Sequence, residues 1–247
     1  GWVLSLPLSI YEEFWREHHY GMATQSFGKW MIEHVVNLAV SVVVTAVLVA
    51  VLYAALRRAG ARWWLWCSLV LIGFLTLMVA VSPVFIEPLF NTYKPVEEGP
   101  VKTQVLAMAK ANGVPVDNIF EFDASRQTTR VSANVSGLLG TAAIRLNDNL
   151  LRRSSLPEIR AVMAHEIGHY TLNHVPKMLL QFGLLVVIGL AVSNWAMSRL
   201  LRRFGPSWRV PHLSDVASLP LLVAVFSSYL FLITPLLNTT IRMAEIE

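Results

Sequence analysis

Charge is what this chain lacks most. Only 15% of its 247 residues are Asp, Glu, Lys or Arg, against about a quarter in an ordinary soluble domain, so there is too little solvating surface for a water-soluble globule of this length. Cysteine is almost missing too. The lone Cys67 excludes an intrachain disulfide and reads as a small core residue. No internal repeat and no low-complexity segment is found. There is neither an initiator Met nor a removable signal-peptide pattern, and the sequence stops at "MAEIE", so both ends are expected to be cut from a longer protein.

Long apolar runs take the place of the missing charge. Residues 35–56, 64–86, 178–198 and 216–237 are each uncharged and 21 to 23 residues long, and about 20 helical residues cross a hydrocarbon core. Buried core helices would have the same composition, but four such runs in one chain argue against that reading. Trp63, Trp64 and Trp66 cluster at one end of the second run, as an interfacial aromatic belt would. The expectation is a mainly α, multi-pass helical membrane protein with a small α+β unit between two transmembrane helix pairs. Net charge is +4, but the arginines flank the apolar runs, which suits lipid headgroups and not nucleic acid. Membrane lipid is therefore an expected partner and nucleic acid is not.

The expected organisation is a polar loop segment 1–34, a helix pair 35–86, a water-facing unit 87–176, a second pair 177–240, and the start of a further helix at 241–247. Within the water-facing unit, 97–113 has helical periodicity and ends on Asn112-Gly113, a C-cap signal. "NIFEFD" (118–123) alternates like a strand, "TAAIRLND" (141–148) ends like another, and "RVSANVSGLLG" (130–140) reads as a strand closed by glycine turns. Ser155 and Glu158 have capping-box spacing with Pro157 in the first turn, which opens a helix expected through 159–174.

That helix carries "HEIGH". Residues four apart share a helical face, so His165 and His169 point at one place, with Glu166 one residue round. Neutral imidazole is a good zinc ligand, and a neighbouring carboxylate can face a water there as general base. With 7 histidines, chance supplies an H-E-x-x-H about once in a hundred such chains, so two incidental histidines explain the pattern poorly. A catalytic zinc keeps three protein ligands. Beyond the last apolar run only Glu245 and Glu247 remain as carboxylates, two positions apart and facing different ways. Spacing alone does not choose between them.

The order of motifs resembles the CAAX prenyl protease 1 family of integral-membrane zinc metalloendopeptidases, with HtpX proteases as more distant relatives. "LPLSIYEEFWREHHYGMATQSFGKW", "PLFNTYKPVEEG", "SRQTTRVSANVSG", "EIRAVMAHEIGHYTLNH" and "IRMAEIE" carry the resemblance along nearly the whole chain. It implies one Zn2+ held by His165, His169 and Glu245, with Glu247 a non-ligand neighbour and Glu166 the catalytic base. It also implies that Asn134 lies near a bound peptide, and that the substrate is a peptide or protein, prenylated at its C-terminal end. The alternative role, for a bacterial member, is membrane-protein quality control. Two departures stand out: the aspartate expected four residues after Glu245 is not in this sequence, and "SANVSG" lacks the aromatic of eukaryotic members.

Two further residues are candidates for supporting the ligands without touching the metal. His174 is five positions past His169, about 140° round a continuous helix, and is expected to point away from the metal. Arg242 is one turn before Glu245, placed for pairing with a carboxylate or for snorkelling. Topology gives two answers. The positive-inside rule puts "RRAGAR" (57–62) and "RLLRRFGPSWR" (199–209) in the cytoplasm and the zinc unit on the other side, whereas the resemblance implies a cytoplasmic-side active site. A site-2-type intramembrane metalloprotease shares H-E-x-x-H but needs a later L-D-G, which this chain lacks. A transporter or scaffold would need the His pair to be incidental.

Overall fold

In the computed structural model the described residues are 2–136, 142–210 and 212–246. Glu247 and the glycine-containing end of the expected 130–140 strand lie outside them. The chain divides into two compact units, Gly1–Ser41 with Ala80–Asn173, and Val42–Val79 with His174–Glu247.

Alternation builds the first unit. Strands β1 (Tyr93–Pro95), β2 (Ile119–Phe122), β3 (Ala133–Ser136) and β4 (Ala143–Asn147) form one sheet in the order β1-β2-β4-β3. β2 and β4 run parallel, and the outer pairs are antiparallel. Register places Ile119, Ile144 and Val135 in one row, and Glu121, Leu146 and Ala133 in the row two residues along, on the same face. Successive side chains leave opposite faces of a strand, so one face presents Ile119, Ile144 and Leu146, all with no exposure, to the helices. Those helices are α5 (Pro100–Ala111), which buries Val105 and Ala109, and α7 (Leu156–Thr171), which buries Ile159, Met163 and Ile167. Each of the valine, isoleucine and methionine side chains contributes about 1.5–3 kcal/mol by leaving water.

Local signals account for the ends of these helices. Gly113, just past α5, has φ +71°, the left-handed conformation that glycine enters without a Cβ clash. At the start of α7 the Glu158 carboxylate accepts from the Ser155 backbone N–H at 2.6 Å and from its hydroxyl at 2.7 Å. These bonds hold the Glu158 carboxyl below its ordinary pKa.

Three features depart from the sequence reading. Residues 1–34, expected as a polar loop, are largely helical: α1 (Trp2–Ser9) runs through a π-helical stretch (Ile10–Trp15) into α2 (Arg16–His19), and α3 (Phe27–Ala59) begins before the apolar run. Stacked aromatic pairs such as Tyr11–Trp15 and Trp15–His19 line this segment. Their four-residue spacing carries a helical pattern that an uncharged-run criterion does not see. A six-residue helix, α6 (Asp148–Arg153), follows β4. The α7 helix stops at Thr171, and α8 (His174–Trp208) starts afresh after Asn173, whose φ is +56°. The angular argument for His174 therefore fails, because no continuous helix joins it to His169.

The second unit is built from the apolar runs: the later part of α3, α4 (Trp63–Val81), α8 and α9 (Leu219–Ile246). Three stretches of the described residues are long and apolar enough to cross a membrane, Phe27–Leu89, His174–Trp208 and Val216–Ile246. The first has 63 residues and would measure about 95 Å as one helix, some three times a hydrocarbon core. It is divided instead by a 3-10 turn at Gly60–Arg62, entered through Gly60 at φ +53°. Leu56, Trp63, Cys67 and Leu190 form this unit's buried cluster. The Trp63 Nε1–H donates to Asn194 Oδ1 at 2.7 Å, and the Tyr229 hydroxyl donates to Leu185 O at 2.8 Å.

Candidate metal centre

The buried stripe of α7 fixes where its histidines go. Met163 and Ile167 face the sheet, and His165 and His169 lie two positions further on, about 200° round the helix. The imidazoles therefore sit on the side away from the core. His165 is exposed, and His169 and Glu166 are half-buried. Their rings meet edge to face with centroids 4.5 Å apart, and the two Nε2 atoms are 3.0 Å from each other. Two nitrogens bound to one tetrahedral zinc at about 2.0–2.1 Å would be about 3.3 Å apart. The pair thus fits a shared cation with little movement.

α7 also packs against β3, the strand at one edge of the sheet. Among the described residues β3 pairs with β4 alone, so its other row of backbone groups is an edge to which a further strand could add. Asn134 lies on β3 opposite Arg145, and its Oδ1 is buried without a hydrogen-bond partner among the described residues. Arg145 is spanned by neighbours: it lies over the Tyr93 ring, donates to Ser136 Oγ, and is 3.9 Å from Glu87. Tyr93 donates to the same Glu87 carboxylate at 2.9 Å, and burial, then that bond, push its hydroxyl pKa upward.

A buried polar framework holds β3 in place. Asn147 caps α6 by accepting from Leu150 N at 2.8 Å, and its amide donates to Arg130 O at 2.7 Å. Asn149 donates to Thr128 O at 2.8 Å. Asp148, 2% exposed, accepts from the Ser125 backbone at 2.8 Å and from its hydroxyl. Arg126 and Gln127 both reach Glu33 and Phe90 O. The serine-arginine stretch of the sequence thus secures the strand's approach, a role for Ser125, Arg126, Gln127, Asn147 and Asp148 that sequence reasoning missed. Asn147 before a short helix was the one readable signal, as a cap.

Glu245 and Arg242 are placed in the other unit, both exposed on α9 and one turn apart. His174 is buried at the start of α8, 4% exposed, and lines a small cavity with Lys177, Gln181, Thr240 and Met243.

Residues 95–247 match the model described as peptidase family M48. The chain belongs to this family. Residues 1–92 match the model described as CAAX prenyl protease N-terminal, five membrane helices, and with the apolar helices this makes the M48 chain a membrane protein. It is 29% identical over 226 residues to the uncharacterized metalloprotease YhfN of Bacillus subtilis, covering 92% of this chain and 53% of that one. Likeness to CAAX prenyl protease 1 of Saccharomyces cerevisiae is 29% over 207 residues, 82% of this chain and 46% of that one. The crystal structure of S. mikatae Ste24p superposes with a TM-score of 0.74 at 28% identity, over 78% of this chain and 46% of that one. The chain spans about half the length of the curated relatives it matches.

Proposed function

We propose that this M48 chain carries the active site of an integral-membrane, zinc-dependent endopeptidase. The observation that carries the reading is the Nε2 pair of His165 and His169, 3.0 Å apart on the solvent side of α7. With Glu245 as third ligand these residues would hold one Zn2+, whose Lewis acidity would polarise the scissile carbonyl and acidify the attacking water. Support for Glu245 comes from the match of "IRMAEIE" to the family's arginine-x-x-glutamate motif.

The protein's own groups do the rest. Glu166, beside His165, takes the proton of the attacking water and returns it to the leaving amine. The open edge of β3 accepts an extended peptide through main-chain bonds. There the unpartnered Asn134 Oδ1 accepts from a substrate N–H and recovers the roughly 1–3 kcal/mol that an orphaned buried acceptor costs. To Arg242, one turn before Glu245, and to His174 at the start of α8 we assign a supporting role beside the ligand set. The relatives named CAAX prenyl protease make a prenylated C-terminal peptide the first substrate to try, and the family resemblance favours a site on the cytoplasmic side.

Hydrolysis of a quenched-fluorescence peptide in detergent tests the reading. Activity should be lost with 1,10-phenanthroline and return with added zinc, and His165→Ala and His169→Ala should each abolish both zinc retention and turnover. Undiminished hydrolysis by metal-free protein would overturn it.

A further inference from the structure

Arginines gather at one end of the second unit. The turn between α3 and α4 carries Arg57, Arg58 and Arg62, and the end of α8 carries Arg199, Arg202, Arg203 and Arg209. Both turns lie at the same end of the bundle, because Trp63 bonds to Asn194 and shares a buried cluster with Leu190. All seven guanidinium groups are exposed, and none forms an ion pair among the described residues. Asp215 is the one acid near them in sequence, and its carboxylate is engaged with the Ala217 backbone N–H. Seven like charges held without counter-charges repel one another unless an anion lies between them.

Aromatic side chains are interleaved with the arginines. Arg199 lies 4.1 Å over the Trp195 ring, Arg203 lies 5.4 Å from the Phe204 ring, and Phe204 stacks on Trp208. Trp66, Trp195 and Trp208 are about half exposed. Such rings settle at the level of lipid headgroups, which makes an aqueous nucleic acid or acidic protein a poor match for this end.

The end of α8 is shaped as well as charged. The chain doubles back after Trp208 through Arg209, whose φ is +56°, and Val210 N returns to Gly205 O at 3.0 Å. A Cβ on Gly205 would stand 3.0 Å from Val210 O, a tight approach that glycine leaves open. The result is a groove of about 610 Å³ lined by Leu201, Arg202, Gly205, Pro206, Arg209 and Val210. A helix C-terminus offers carbonyls and not amides, so an anion seated here must be held by Arg202 and Arg209.

We propose that this end of the protein is a docking surface for anionic phospholipid headgroups, with the Arg202–Arg209 groove as its principal seat. The leucine and valine of the groove then meet the upper acyl chain while the two guanidinium groups take the phosphate. A zwitterionic headgroup cancels its own phosphate charge and gains much less. The inference stands apart from the peptidase reading and needs no turnover to be tested.

The test uses the full chain, delipidated in a neutral detergent and titrated with phosphatidylglycerol or phosphatidylcholine, with bound lipid read by native mass spectrometry. Phosphatidylglycerol should bind at least about tenfold more tightly, since each arginine near a headgroup contributes roughly fivefold. The exposed pair Arg202→Gln/Arg209→Gln should lose about tenfold or more of that affinity, while melting in phosphatidylcholine micelles at the wild-type temperature. Equal affinity for the two lipids overturns the proposal, and so does a double variant that keeps the preference. Competition by glycerol 1-phosphate at the concentrations where phosphatidylglycerol binds would also overturn it, by showing a small-anion site.

Discussion

Gly189→Ala sets two physical effects against each other within α8. Alanine is the better helix former by about 0.8–1.0 kcal/mol, so propensity alone says the change stabilises. Packing says otherwise. A Cβ built on Gly189 would lie 2.4 Å and 2.7 Å from the Tyr229 ring and 2.8 Å from Phe226, and real Cβ atoms do not approach so closely. Tyr229 cannot swing aside freely, because its hydroxyl is bonded to Leu185 O. Forcing an extra methyl into such a contact costs about 1–3 kcal/mol, and loosening the hydroxyl bond adds about 1. After the propensity gain the variant should be less stable by about 1–3 kcal/mol. Gly183 is the control, since its Cβ would meet only the flexible Ile72 side chain at 3.3 Å, and Gly183→Ala should be close to neutral. Unfolding of both variants in mixed detergent micelles reads the difference. Gly189→Ala should also cost less in a Tyr229→Ala background, where the obstacle is gone. A Gly189→Ala protein as stable as the wild type or more so would refute the close α8–α9 packing.

Three other outcomes are expected. Met163→Ala, at a position with no exposure between α7 and the sheet, should cost about 2–5 kcal/mol and lower zinc retention with it, as thermal unfolding and metal analysis would show. Glu158 is held below its ordinary pKa by Ser155, so its contribution to the α7 cap is present above the unfolded-state pKa and is lost as pH falls through the folded one. Ser155→Ala should therefore lower the melting temperature at pH 7 and cost progressively less as pH falls through the folded-state pKa of Glu158. Glu245→Gln should lose zinc and activity while Glu247→Gln keeps both, because the family's motif puts the ligand at the first glutamate of "IRMAEIE"; metal content of the two variants side by side decides it.

Legibility in the sequence followed length and periodicity. H-E-x-x-H was readable because four-residue spacing needs only a helix to become a shared face, and Ser155 with Glu158 announced that helix. β2 and β4 were readable because one face is buried and their apolar residues alternate. β1 was not, because it has three residues and ends on Pro95, which is an edge-strand position without a pattern of its own. The break between α7 and α8 was hidden for a similar reason: Asn173 adopts a left-handed conformation that usually announces itself through glycine. Hardest to foresee was the framework around Ser125, Gln127 and Asp148, whose partners lie 23 residues or more away in sequence. Polar residues at such separations have no period to betray them.

Glu166→Gln separates metal binding from proton transfer at the site. The substitution removes a proton acceptor, keeps the side chain's shape, and touches neither histidine of the pair. The purified variant should retain zinc at the wild-type level and bind peptide, but hydrolyse it at least about a hundredfold more slowly, the usual scale of a lost general base. A Glu166→Gln protein that holds zinc and turns over peptide at the wild-type rate would contradict that role.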